Sequence, residues 1–156
     1  MAMTLTSPSF EEGGEIPRRH TCQGEDLSPA LAWTDVPVGA RTLALIVDDP
    51  DAPDPAAPKT TWVHWVVSGI PAAATGLPEG AGTALPTGAR AGKNDWGRAA
   101  WGGPCPPIGR HRYFFKLFAL DLSLPPDEVA NKAELEKAMR GHVLASAQLI
   151  GTYQKS

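Results

Sequence analysis

Carboxylates are concentrated at one point of the 156-residue chain, in the segment Asp48-Asp49-Pro50-Asp51. Three acidic side chains in four residues repel one another, so the fold must place hydrogen-bond donors or a cation beside them. The prolines Pro50 and Pro53 restrict the backbone here and would hold a carboxylate in a fixed direction. The alternative is a solvated turn, in which Asp and Pro only set the geometry of the chain.

Two histidines and a tyrosine lie in strand-like segments elsewhere in the sequence. His64 is flanked by tryptophan and valine, a setting in which histidine is more often a core residue than a ligand. His111 and Tyr113 open another strand-like segment, and alternation along a strand places both on one face and Arg112 on the other. We therefore expect Arg112 to form an ion pair, with an aspartate of the 48–51 segment as its candidate partner.

These groups would form an anion site if the fold brought them together with Gly102-Gly103-Pro104. Glycine lets backbone N–H groups approach a ligand, and successive N–H groups bind anions. Histidine has a reference pKa of about 6.5, so protonated His64 or His111 could hold the charge of a small phosphoryl or carboxylate group. On this account, binding weakens as the pH rises through the histidine pKa.

Sequence signatures of common enzymes are missing. The segment Gly88–Asn94 imitates a phosphate-binding loop, but its glycine spacing is wrong and Asn94 stands where Ser or Thr would bind Mg²⁺. There is no nucleophile-elbow serine and no dinucleotide fingerprint, so we expect no catalytic residues and no cofactor. A metal-dependent hydrolase stays as a minor alternative, because His64, His111, Asp49 and Asp51 are all potential ligands of Zn²⁺.

The composition excludes several classes of partner. The formal net charge is −3, which argues against nucleic-acid binding, and no apolar run reaches the length of a membrane helix. Because the N-terminal residues lack the pattern of a secretory signal, we expect a cytoplasmic protein without stable membrane insertion. Reduced thiols are then the expected state of Cys22 and Cys105, with a disulfide between them as the open alternative.

The elements that must position these residues are mostly strands. Sixteen glycines and sixteen prolines argue against a mostly helical fold. Apolar runs and alternating patterns predict strands over 4–7, 30–34, 42–49, 60–70 and 112–120. In the fourth of these, alternation places Trp62, His64, Val66 and Ser68 on one face.

Two further segments complete the prediction of one domain over residues 1–156. The stretch from Gly76 to Gly109 is dense in glycine and proline but carries Trp96 and Trp101, so we interpret it as an ordered binding loop. Asn131 to Ile150 is predicted to be a helix, because Asn131 is a suitable N-cap and apolar residues recur every four positions. Strands followed by one late helix indicate a mainly β fold, namely a β-sandwich with a small helical part.

Several motifs in order give the chain a resemblance to a known family. They are His20-Thr21-Cys22, Ser28–Trp33, Asp49–Pro53, Trp62–Trp65, Gly92–Asp95, Gly102–Pro107 and Gly109–Tyr113. With this pattern the chain resembles the phosphatidylethanolamine-binding protein family, also called the Raf kinase inhibitor-like family, and its bacterial YbhB/YbcL type in particular. The resemblance implies two antiparallel sheets in a Greek-key-like sandwich with a C-terminal helix and long Gly/Pro-rich loops.

The resemblance also implies a small anion pocket and its lining. By motif position the pocket would be lined by Asp49, Trp62, His64, Gly103, His111 and Tyr113, with Pro50 and Asp51 shaping its rim. Phospholipid head groups or phosphorylated partners are the implied ligands, and a homodimer is a candidate assembly. Two positions depart from the eukaryotic members: Val63 stands where they often have a second histidine, and Cys105 belongs to the prokaryotic form of the loop.

Three functions follow as hypotheses. The first is a non-enzymatic binding module for a phosphoryl or carboxylate anion. The second is a protein inhibitor of a serine protease or kinase that acts through the 88–107 loop. The third is the metal-dependent hydrolase.

Overall fold

The computed structural model describes residues 2–83, 85–124 and 129–156. Ala84, within the predicted loop, lies outside the described residues. In chain order the strands are β1 (Thr4–Thr6), β2 (Leu31–Thr34), β3 (Thr42–Ala52), β4 (Thr60–Pro71), β5 (Gly76–Leu77), β6 (Arg90–Ala91), β7 (Arg110–Leu120) and β8 (Val143–Gln154). Short 3-10 turns cover Arg18–His20 and Ala81–Thr83, and helix α1 covers Lys132–Met139.

The strands form two antiparallel sheets. The larger has the order β6-β4-β3-β7-β8 and the smaller the order β1-β2-β5. All five predicted strands are present within two or three residues of their expected ends. The prediction of a mainly β fold with two antiparallel sheets is therefore confirmed.

The central strand β3 is apolar almost throughout because both of its faces are covered. Leu43, Leu45 and Val47 belong to the core between the two sheets. Ala44 and Ile46 belong to a second cluster on the other face, which includes residues of α1. Since β4 and β7 flank β3, the ends of these three strands lie side by side.

The predicted helix from Asn131 to Ile150 is wrong in its second half. The side chain of Asn131 accepts the N–H of Glu134, so the N-cap is confirmed, and a helix is present near the C-terminus. It ends at Met139, however, and a left-handed glycine, Gly141 with φ of 83°, leads into the long strand β8. Spacing of four residues satisfies a helix and also a strand, because four is twice the period of a strand.

The face assignment predicted for β4 is wrong beyond His64. Simple alternation also predicts Trp65 and Val67 on the same face as Val63, opposite His64, but Trp65 and Val67 belong to the core between the two sheets and Val63 to the other cluster. The pairing of β4 with β3 shifts by one residue between Trp65 and Val63, which makes His64 the extra residue of a bulge. Val66 consequently lies in the same cluster as Val63, away from His64. The bulge leaves both Trp62 and His64 on the side of the sheet that faces the cavity described below.

The two cysteines form a disulfide, so the expectation of reduced thiols is wrong. Cys22 and Cys105 are 83 residues apart in sequence, and their Cα atoms lie 5.4 Å apart. The fold brings the segment after the first 3-10 turn against the loop before β7. None of the helices in the described ranges is long and apolar enough to cross a membrane.

Candidate functional site

A cavity of about 310 Å³ opens where the C-terminal end of β3 meets the N-terminal ends of β4 and β7. Aromatic rings and prolines make up most of its wall, with a few polar groups among them. Its lining consists of Asp49, Ala52, Pro53, Trp62, His64, Trp96, Cys105, Pro106, Pro107, His111 and Tyr113.

Five of the eight predicted site residues line this cavity: Asp49, Trp62, His64, His111 and Tyr113. The structure therefore brings together groups that are up to 64 positions apart in sequence. It does not place the other three, Pro50, Asp51 and Gly103, in the wall. Their role in ligand binding stays a prediction, as it does for the five.

The backbone N–H of Gly103 is bonded within the protein and is therefore not free to bind a ligand. Its N–H donates to Oδ1 of Asp26 at 2.8 Å. A Cβ atom at this position would collide with that same carboxylate oxygen and with the carbonyl of His20. The close packing that requires glycine here is therefore packing against the 20–26 segment, not against a ligand.

Asp51 belongs to an ion pair on the surface of the sheet. Its carboxylate receives Nη2 of Arg112 at 2.8 Å and Nε of the same guanidinium at 3.0 Å. This bidentate bond lowers the pKa of Asp51. The expected ion pair of Arg112 with an aspartate of the 48–51 segment is confirmed, and it explains why Asp51 is absent from the cavity.

Asp49 lies at the bottom of the cavity in contact with His111. Its Oδ2 is 2.6 Å from Nδ1 of His111, and its Oδ1 accepts the N–H of Asp51 at 2.7 Å. Both side chains are almost fully buried. Burial raises the pKa of Asp49, and the hydrogen bond from His111 opposes that rise.

The contacts of His111 fix the number of protons in this pair. Its Nε2 faces the carbonyl oxygens of Ile108 and Pro53 at 2.8 and 3.1 Å, and a carbonyl only accepts, so Nε2 carries a proton. A second proton must lie between Nδ1 and Asp49, because two lone pairs would repel at their separation. The pair is thus neutral as a unit, and neither ring nitrogen of His111 is available to a ligand.

His64 has one ring nitrogen, Nε2, that makes no hydrogen bond in the described part of the chain. Its Nδ1 donates to the carbonyl of Gly102 at 2.7 Å, which places the lone pair of the neutral ring on Nε2. Burial lowers the pKa of His64 to about 4, although the hydrogen bond to Gly102 opposes that shift. At neutral pH the imidazole of His64 is therefore uncharged, and the expectation of a protonated His64 is not supported.

Two buried donors in the cavity wall have no hydrogen-bond partner in the described part of the chain. They are the indole N–H of Trp62 and the hydroxyl of Tyr113. Burial and the nearby carboxylate of Asp49 raise the pKa of Tyr113, so its hydroxyl keeps its proton. An unpartnered buried donor costs about 1–3 kcal/mol, which a ligand oxygen could recover.

Trp96 is a cavity residue that motif reasoning did not assign to the site. Its ring meets Trp62 and His64 edge-on, at centroid distances of 5.5 and 5.1 Å, and it is 42% exposed at the mouth. A Cβ atom on Gly102 would collide with this ring. The available signal was a tryptophan in a Gly/Pro-rich loop, but Trp101 of the same loop is buried in the core.

The metal-ligand hypothesis lacks a ligand set in the ranges 2–83, 85–124 and 129–156. No group of three or more His, Cys, Asp or Glu side chains there is arranged to hold a metal ion. The nearest set, around Asp49, has its histidine nitrogens occupied by carbonyls and by the carboxylate itself.

Comparisons with known proteins agree with this architecture. The family model described as phosphatidylethanolamine-binding protein matches residues 6–154. A protein of family UPF0098 from Methanothermobacter thermautotrophicus is 48% identical over 155 residues, which is 98% of this chain and 99% of the relative.

Solved structures of the same family are also similar to this chain. The crystal structure of a putative phosphatidylethanolamine-binding protein homologue from Chlamydia trachomatis is similar with a TM-score of 0.90 and 41% identity, over 99% of both chains. Escherichia coli YbcL, described as a new member of the mammalian family, is similar with a TM-score of 0.89 and 36% identity over the full length of both chains. The chain belongs to the phosphatidylethanolamine-binding protein family.

Proposed function

We propose that this protein is a non-enzymatic binding module whose cavity takes a small phosphoryl group, with a carboxylate as the weaker alternative. The observation that carries the proposal is the pair of buried donors without a partner, the indole of Trp62 and the hydroxyl of Tyr113. The same cavity also offers acceptors, the neutral His64 ring and the carboxylate of Asp49. A ligand that both accepts and donates hydrogen bonds satisfies the whole set.

The mixture of donors and acceptors favours a phosphate monoester that still carries one proton. Its unprotonated oxygens accept from Trp62 and Tyr113, while its P–OH donates to His64 or Asp49. A fully deprotonated phosphate would instead place its charge beside the carboxylate without a proton between them. The charge-holding role that sequence analysis gave to protonated histidines thus passes to neutral donors and to the proton of the ligand.

The experiment is an amide chemical-shift titration with O-phosphorylethanolamine at several pH values. Because the second pKa of a phosphate monoester is about 6, we expect affinity to fall about tenfold between pH 7 and pH 8. The matched probe is O-sulfoethanolamine, which has the same ammonium group and a sulfate of similar shape that carries no proton to donate. Equal and pH-independent binding of both compounds would contradict the proposal, as would shifts outside residues 49–53, 62–64 and 96–113.

A second candidate function is inhibition of a protease or kinase through the 88–107 loop. The observation in its favour is the exposure of Trp96, a residue of this loop that lines the cavity and is 42% exposed. Trp101 is buried and cannot serve as a contact residue. Inhibition that is lost in Trp96→Ala but kept in Tyr113→Phe would favour this function over the first, because Trp96 is exposed and Tyr113 is buried in the cavity wall.

The cellular setting stays a prediction. The disulfide weighs against the predicted cytoplasmic location, since such bonds persist mainly in oxidising compartments. The absence of nucleic-acid partners, the absence of membrane insertion and a homodimer likewise remain expectations from the sequence and the resemblance.

A further inference from the structure

The wall of the cavity is joined to a distant part of the chain by one covalent bond. Cys105, Pro106 and Pro107 line the cavity. Cys105 is bonded to Cys22, which lies on the surface just after the 3-10 turn Arg18–His20. The disulfide therefore connects the ligand cavity to a segment that contributes no residue to it.

Hydrogen bonds hold this wall only at its two ends. The carbonyl of Pro104 accepts the N–H of Cys22 at 3.1 Å, and the carbonyl of Ile108 accepts from the ring of His111 at 2.8 Å. Between these anchors, residues 105–107 make no hydrogen bond within the described ranges. Two of the three are prolines, which have no N–H to donate. Within residues 105–107 the disulfide at Cys105 is thus the cross-link that adds to the packing of the buried Pro106.

We propose that the Cys22–Cys105 disulfide is a redox control on the cavity: the oxidised form holds the wall in its binding conformation, and reduction loosens residues 105–107 and weakens ligand binding. The inference rests on the proposed function for its ligand. A loosened wall samples more conformations, and binding must restrict them again, so the cost shows as lower affinity.

The reductant is a dithiol. One of its thiolates attacks Sγ of the exposed Cys22, the S–S bond breaks, and Cys105 leaves as a thiolate that takes up a proton. The second thiol of the reductant then displaces Cys22 from the mixed disulfide. The protein gains two electrons and two protons and becomes a dithiol, while the reductant is oxidised to its own disulfide.

The test compares oxidised protein, protein reduced with dithiothreitol, and the variant Cys22→Ser/Cys105→Ser with and without dithiothreitol. These are the only cysteines of the chain, so the reductant can act at no other thiol pair. We expect O-phosphorylethanolamine to bind three- to tenfold more weakly to reduced protein and to the variant, and dithiothreitol to have no effect on the variant. Equal affinity of the oxidised and reduced forms, or a disulfide that resists the dithiol in the folded protein, would overturn the proposal.

Amide hydrogen exchange without ligand separates this inference from the proposed function. Reduction should speed exchange of the Cys22 N–H, which donates to the carbonyl of Pro104 at the edge of the wall, while leaving Leu45 of the core unchanged. Unchanged exchange at Cys22, or an equal increase at Leu45 that marks general destabilisation, contradicts the inference. If even the oxidised protein binds no ligand, the proposed function fails and the exchange data alone decide whether the disulfide controls the wall.

Discussion

Two consecutive aspartates of β3 lie on opposite faces of the same sheet and have opposite surroundings. Asp48 is almost fully buried, yet its Oδ2 meets two ammonium groups, Nζ of Lys132 at 2.8 Å and Nζ of Lys116 at 3.1 Å. Asp49 instead meets one side chain, that of His111, and stands in the wall of a cavity. One carboxylate is enclosed by its counter-charges, and the other shares a proton beside open space.

The difference shows what marks a candidate site in this molecule. Burial of a charge does not, because both aspartates are buried. What distinguishes the face of Asp49 is hydrogen-bonding capacity that the protein itself does not use: the donors of Trp62 and Tyr113 and the lone pair of His64. A ligand can satisfy those groups, whereas the carboxylate of Asp48 is already bound by Lys116 and Lys132.

The largest effect on stability is expected when the side chain of Asp49 is removed. In Asp49→Ala, His111 keeps a buried ring whose Nδ1 has lost its partner, and removing one member of a buried pair costs roughly 3–5 kcal/mol. We expect a loss of this size in the free energy of unfolding, measured by urea denaturation at pH 7. A loss below about 1 kcal/mol would show that the pair contributes little and that its proton is not shared as described.

The second largest effect is a loss of folding stability at acid pH, which we expect from the buried ring of His64. Its folded-state pKa of about 4 lies below the value of about 6.5 expected in the unfolded chain. Protonation therefore favours unfolding, so its contribution is full above pH 6.5 and is lost as the pH falls toward 4. This amounts to about 3 kcal/mol.

Urea denaturation of the wild type and of His64→Gln at pH 7, 5.5 and 4 measures this contribution. The variant should lose less stability than the wild type between pH 6.5 and 4, since glutamine does not titrate. Parallel pH profiles would mean that His64 is as easily protonated in the folded chain as in the unfolded one.

A smaller loss is expected on the opposite face. In Asp48→Ala, Lys116 and Lys132 lose their shared carboxylate, but both are partly exposed and can turn their ammonium groups into water. We expect a cost of roughly 1–2 kcal/mol and no change in ligand affinity. A measurable loss of ligand affinity in Asp48→Ala would remove the distinction between the two faces.

The strands that carry the site could be predicted from the sequence more accurately than the contacts within the site. The apolar run 42–49 and the tryptophan-rich run 60–70 could be predicted because local pattern is decided by burial on each face. The faces of the residues after His64 could not, because they depend on a bulge that only the pairing with β3 defines. The four-residue spacing after Asn131 could not separate a helix from a strand.

Contacts between distant segments were the hardest to predict. The pairing of Cys22 with Cys105 depends on a tertiary distance of 5.4 Å across 83 residues, which no local pattern contains. Gly103 was assigned to the pocket by resemblance, but its N–H is taken by Asp26, 77 positions away. The resemblance located the cavity, and tertiary contacts decide which atoms in it remain available.

The smallest effect has the opposite sign and tests the contrast most closely. The hydroxyl of Tyr113 is buried without a partner, so Tyr113→Phe removes a desolvated polar group and should raise the free energy of unfolding by about 1 kcal/mol. The matched control is Tyr153→Phe, because the hydroxyl of Tyr153 donates to Oε1 of Gln23 and its removal should cost about 1 kcal/mol.

Ligand affinity should fall in Tyr113→Phe and stay unchanged in Tyr153→Phe. A variant that is more stable but binds less well is the behaviour expected of a group kept for a ligand. A destabilised Tyr113→Phe would show that its hydroxyl already has a partner within the protein.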